Sequence, residues 1–195
     1  NTRTLSQNSQ FKYRDDDIAI IGLSFQFPGG NSIEDFWSFL VKAEPCVDGL
    51  PQSRLLLINP YLNRDPDTGY MKGAYLSNIS EFDYTLFRIS PKEAIHIHPA
   101  HRLFLQNAWL AIEDAGYGGK KLIGSNTGVF VGAKHEENSF GYQKMLFSSE
   151  GNASVSALLG NMPALLPSRV SYLLDLKGPA ILVDTACSSS LVAVH

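Results

Sequence analysis

At 195 residues, with 44% hydrophobic and 18% charged residues, the chain has the make-up of a folded globular domain rather than a disordered or fibrous one. A net charge of −3 gives no electrostatic case for nucleic acid or an anionic membrane as partner, and no apolar run reaches spanning length. Two cysteines, Cys46 and Cys187, are too few for a disulfide framework; with no signal-peptide pattern at the start, they suit a reducing cytoplasm.

Residues 1–14 are polar, rich in Ser, Gln and Asn, and aperiodic, which predicts a linker or tag remnant ahead of a domain over 15–195. Ile18 to Leu23 is an apolar run that predicts a short opening strand. Ser32 with Asp35 three residues on makes an approximate capping box. The helix it opens carries Ile33, Phe36, Trp37, Leu40 and Val41 on one face, a predicted core stripe. Residues 44–81 hold much of the Pro, Gly, Asn and Asp, predicting an irregular excursion with extended pieces near Tyr75. Gly29-Gly30 and Gly118-Gly119 lack the spacing of phosphate loops and are turn residues.

Arg102 to Ala115 is the clearest helix, with Leu105, Ala108, Trp109 and Ile112 on one face and Gly116 placed to end it. Thr127 to Gly132 predicts a second strand, buried on both faces. Lys134 to Gly151 is polar and loop-like. Asn161 could cap a helix running to Leu174, in which Pro167 demands a kink or a late start. Ala180 to Asp184 predicts a buried third strand, and Leu191 to Val194 the start of a buried helix. Strands alternating with helices argue for an α/β domain with a mixed or mostly parallel sheet.

The chemistry concentrates at Cys187, on the turn from the third strand to its helix. There the first backbone N–H groups lack intrahelical partners, and they and the positive end of the helix dipole favour an anionic sulfur. The small residues Thr185, Ala186 and Ser188 to Ser190 leave room for a substrate. Buried cysteines are common as small hydrophobes, but this setting suits a nucleophile. Ser188 lacks the Gly-x-Ser-x-Gly elbow of a hydrolase, and the serines are better read as packing the turn. His96, His98 and His101 form a His-x-His-x-x-His cluster without a neighbouring carboxylate motif, so no metal site is expected. His135 is expected to be solvated and Cys46 buried or half-buried.

Asp184-Thr-Ala-Cys-Ser-Ser-Ser-Leu-Val-Ala resembles the active-site segment of β-ketoacyl synthases, in particular the ketosynthase domains of modular polyketide synthases. Asp17-Ile-Ala-Ile-Ile-Gly-Leu-Ser, Phe27-Pro28-Gly29, Phe82-Asp83 to Ala94, Ala108-Trp109 to Tyr117, Thr127 to Gly132 and Arg169 to Gly178 match in the same order, from about residue 16 onward. The resemblance implies a thiolase-like fold, of which this chain would supply an incomplete first half: a mixed sheet with flanking helices. It implies Cys187 as the acyl-accepting nucleophile, with its own backbone N–H as one oxyanion-hole donor. It also implies acyl carrier protein as partner, substrates delivered on phosphopantetheine with no cofactor bound directly, and a homodimer in which Cys-bearing strands pair near the two-fold axis.

The family's two catalytic histidines lie in His-Gly-Thr-Gly-Thr and Asn-x-Gly-His contexts, and neither occurs here. His195 falls eight residues after Cys187, about 12 Å along a helix axis, too far to reach the sulfur. The fragment alone is therefore expected not to condense, and the remainder of the domain is an implied partner. His98-Pro99-Ala100-His101 stands where the family usually has Asp-Pro-Gln, which puts local hydrogen bonding in question. Two rivals follow: a ketosynthase that transfers acyl groups without elongating, and a non-catalytic structural or docking piece of a megasynthase.

Overall fold

A computed structural model describes residues 17–30, 32–58, 69–133, 142 and 160–195. The segment 1–14, His135 and most of the 134–151 stretch lie outside these residues.

Helix α1 spans Ile33–Lys42, and its N-cap Ser32 accepts the Asp35 N–H at 3.0 Å, as the capping pattern predicts. Its apolar stripe is not core. Ile33, Trp37, Leu40 and Val41 are more than half exposed; Phe36 meets Phe25 and Phe27 edge-on at 5.4 and 5.1 Å. The reason is geometric: among the described residues no element covers that face. Helix α2, Gln52–Ile58, interrupts the predicted irregular excursion, which otherwise keeps an isolated antiparallel bridge between Asp48 and Gly73.

The core forms around α3 (Pro91–His96), α4 (Pro99–Asp114) and α5 (Leu165–Leu173). Ser90 caps α3 by accepting the Glu93 N–H at 3.1 Å, with Pro91 at the first helical position, where its missing donor costs nothing. Ile97 and Leu105 are almost wholly enclosed, packed with Phe87, Ile89, Val170 and Leu174; each such side chain contributes about 1.5–3 kcal/mol on burial. Helix α4 starts three residues before the predicted Arg102, because His98 caps it: its Nδ1 accepts the Ala100 N–H at 3.1 Å. It ends as predicted. Gly116 takes φ +75°, its N–H bonds to Glu113 O at 2.8 Å, and Tyr117 N–H reaches back to Ile112 O at 2.9 Å.

Strands β1 (Val129–Gly132) and β2 (Ala180–Val183) pair in parallel, with Val129 opposite Ala180 and Gly132 opposite Val183. Helix α5 and a short helix α6 (Ser189–Val194) both pack on this pair, and α5 also meets α4. Four expectations need correction. The helix holding Leu191 to Val194 is not buried, with Leu191 75% and Val194 82% exposed. Ile18 to Leu23 joins no ladder among the described residues, and Ile18 and Ile20 are 94% and 86% exposed. The segment instead lies beside α4, where Leu23 N–H donates to Asp114 Oδ2 at 2.9 Å and Ser24 Oγ to Asn107 Oδ1 at 3.0 Å. Strand β1 is not buried on both faces: Val131 is buried, but Phe130 points outward. Nor is β2 buried, since its residues are exposed or half-buried.

Helix α5 shows the late start that Pro167 demands, with the proline in its first turn and fully enclosed. Asn161 does not cap it. Its side chain accepts the His98 N–H at 2.6 Å and donates to His96 O at 2.7 Å, tying the α3–α4 corner to the approach of α5.

Candidate active site

Beyond Val183 the chain leaves the sheet through Asp184 and Thr185, and Ala180 to Val183 fix that exit by parallel pairing to β1. The ladder continues one bond further, Ala133 N–H to Val183 O at 3.1 Å. Cys187 then sits at the bend, exposed, as the middle residue of a 3-10 turn over Ala186–Ser188. The sequence predicts the cysteine on the turn from strand to helix; that turn is the 3-10 turn, and α6 begins at Ser189, two residues before the expected Leu191.

The turn is strained and heavily tied. Ala186 adopts φ +55°, a left-handed conformation that costs an alanine about 1–2 kcal/mol. Its N–H donates to Asp184 Oδ1 at 3.1 Å. Ser189 Oγ accepts the Thr185 N–H at 2.8 Å and donates to Ala186 O at 2.7 Å. Ser188 Oγ lies 2.9 Å from both the carbonyl and the hydroxyl oxygen of Thr185. Ser188 and Ser189 thus build the turn, as their small size suggested. Gly132 completes it from β1: a Cβ there would stand 2.6 Å from the Ser189 carbonyl group and the Ser190 nitrogen. Sequence reasoning missed this contact and the role of Gly132, because no local pattern links Gly132 to the turn.

The histidines lie elsewhere. His96 and His101 are buried at the α3–α4 corner, and the His98 ring stands edge-on to His101 at 6.1 Å and to Tyr142 at 4.9 Å. Burial first, then the charges of His98 and Arg169, lower the His101 pKa from 6.5 to about 4, so its imidazole is neutral near pH 7. Burial also raises the Tyr142 phenol above its ordinary value, against an opposing pull from Arg102. Arg169 bridges from α5 to Glu93 of α3 at 2.9 Å. Among the described residues no group of three or more His, Cys, Asp or Glu could hold a metal ion. Cys46 is half-buried.

The chain as a whole has counterparts among known proteins. Residues 15–195 match the family described as Beta-ketoacyl synthase, N-terminal domain. The chain belongs to this family. Its curated relatives include polyketide synthase PksN of Bacillus subtilis, 40% identical over 183 residues, covering 91% of this chain and 3% of that protein. Another is 6-methylsalicylic acid synthase of Aspergillus niger, 40% identical over 186 residues, covering 92% of this chain and 10% of that protein. The chain therefore spans a tenth or less of these relatives. Among solved structures, a ketosynthase from module 6 of the bacillaene synthase of B. subtilis superposes with a TM-score of 0.70 at 37% identity, covering 91% of this chain and 27% of that one. The oxazolomycin ketosynthase domain OzmH KS7 of Streptomyces albus gives 0.69 at 33% identity, covering 90% and 31%. The fold of this β-ketoacyl synthase chain is thus thiolase-like, represented here by part of one half. At His98-Pro99-Ala100-His101 the local hydrogen bonding is supplied by the His98 cap on α4 and by the side chain of Asn161.

Proposed function

We propose that the chain forms part of a polyketide synthase ketosynthase that condenses acyl and malonyl units carried on acyl carrier protein, with Cys187 as the acyl-accepting nucleophile. The observation that carries this reading is the exposed Cys187 thiol on a tied, strained bend between β2 and α6. The thiolate attacks the carbonyl carbon of an acyl-pantetheine thioester. A new S–C bond forms, the bond to the pantetheine sulfur breaks, and that sulfur leaves as a thiolate. In the tetrahedral intermediate the backbone N–H of Cys187 donates to the oxyanion. A malonyl thioester then loses CO₂, and its carbanion attacks the Cys187-bound acyl carbon. The β-ketoacyl product departs on the carrier and the thiolate is released.

The carrier, the cytoplasmic setting, the homodimer and the rest of the domain, which would bring the two histidines, belong to this proposal. The intact flanks of Cys187 favour catalysis over a docking role, because a scaffold has no use for an accessible thiol. The full-length protein, incubated with an acyl-pantetheine thioester and analysed by peptide mass spectrometry, should carry the acyl mass on the Cys187 peptide. Cys187→Ala should abolish it. An acyl group that persists in the variant, or that never reaches Cys187, overturns the assignment.

A further inference from the structure

Ser189 is the most enclosed residue of the Cys187 turn, 5% exposed in a segment whose other members from Asp184 to Ser190 are exposed. Its hydroxyl spends its donor on Ala186 O and an acceptor site on Thr185 N–H, at 2.7 and 2.8 Å. These two groups flank the residue that the chain holds at φ +55°. An alanine does not keep that conformation unaided, since its Cβ crowds the following carbonyl oxygen. The peptide being held is the one that delivers the Cys187 N–H and sets the direction of its side chain. From the far side, Gly132 lets the β1 backbone approach the Ser189 carbonyl too closely for any Cβ, so the anchor has little freedom to shift.

We infer that Ser189 is a positioning residue for Cys187: its buried hydroxyl stabilises the left-handed Ala186 and thereby aligns the Cys187 N–H and sulfur for acyl transfer. The inference rests on the acyl-accepting role proposed for Cys187. It divides the cysteine's chemistry into two parts. Attack on a carbonyl thioester needs the N–H aligned with the developing oxyanion; alkylation by iodoacetamide needs an accessible, ionised sulfur but no oxyanion donor.

The test uses the full-length protein and two rates at Cys187, acylation by an acyl-pantetheine thioester and alkylation by iodoacetamide. Ser189→Ala should slow acylation about tenfold or more, the scale of one lost buried hydrogen bond, while alkylation changes less than about twofold. Ser190→Ala, an exposed neighbour, should change neither. Adding Ala186→Gly to Ser189→Ala should recover part of the lost acylation, because glycine occupies the left-handed region without help. Unchanged acylation in Ser189→Ala, an equal fall in both rates, or no recovery in the double variant each overturns the inference. A wild-type protein that never acylates Cys187 instead refutes the proposed function, so the two failures are distinct.

Discussion

Acid should open the α3–α4 corner, and His101 should be the cause. Its neutral form is favoured by burial and by the charges of His98 and Arg169, which lower its pKa from 6.5 to about 4. Once the corner opens, the imidazole regains its ordinary proton affinity, so the open state binds more protons than the closed one between those two values. Closure is therefore strongest above about pH 6.5 and weakens as pH falls, with the full loss reached below about pH 4. At about 1.4 kcal/mol for each tenfold in proton affinity, that loss is about 3 kcal/mol, of which roughly 2 kcal/mol falls between about pH 7 and pH 5. Amide hydrogen exchange of peptides covering 96–105, corrected for intrinsic rates, reads the opening free energy directly in the full-length protein. The wild type should lose roughly 2 kcal/mol of protection over that interval, and His101→Leu should remove most of this pH dependence while keeping an apolar side chain in the site. Equal pH dependence in the two proteins would refute the reasoning.

Two further outcomes follow from close contacts. Gly132→Ala places a methyl 2.6 Å from the backbone of Ser189 and Ser190, which no side-chain rotation relieves. It should destabilise the β1–α6 contact by about 1–3 kcal/mol and slow Cys187 acylation, read by hydrogen exchange and peptide mass spectrometry. Wild-type protection and acylation would show that α6 can yield. Asn161→Ala, at a site 1% exposed, takes the side-chain partner from the His98 N–H and from the His96 carbonyl. Protection over residues 96–105 should fall by about 2–3 kcal/mol; a loss below about 0.5 kcal/mol would show that these bonds are readily replaced.

Local chemistry was legible in the sequence where cause and effect lie within a few residues. The Ser32 cap, the glycine that closes α4, the late start of α5 at Pro167 and the bend at Cys187 all follow from neighbours along the chain. What failed was burial. The stripe of Ile33, Trp37 and Leu40 has ideal helical spacing, yet spacing states only which residues share a face, not that another element covers it. The same holds for Ile18 and Ile20, apolar and β-branched but unpaired among the described residues. Asn161 misled in the opposite way: a good capping residue at a plausible helix start, it serves partners more than sixty positions earlier. Ser189 and Gly132 were invisible as a pair because only parallel pairing of distant strands brings them together.

That pairing also sets an order of assembly. Val129 meets Ala180 about fifty residues later, so the bend at Cys187 cannot form until a long loop has closed, a step whose entropic cost precedes any reward from the contacts it makes. Helices α3 and α4, capped from within their own sequence, can form earlier and offer a surface on which α5 and then the strand pair condense. The Cys187 turn is thus expected among the last features to take shape as the polypeptide emerges and folds, and a nascent chain carries an unorganised thiol until its distant partner strand has docked.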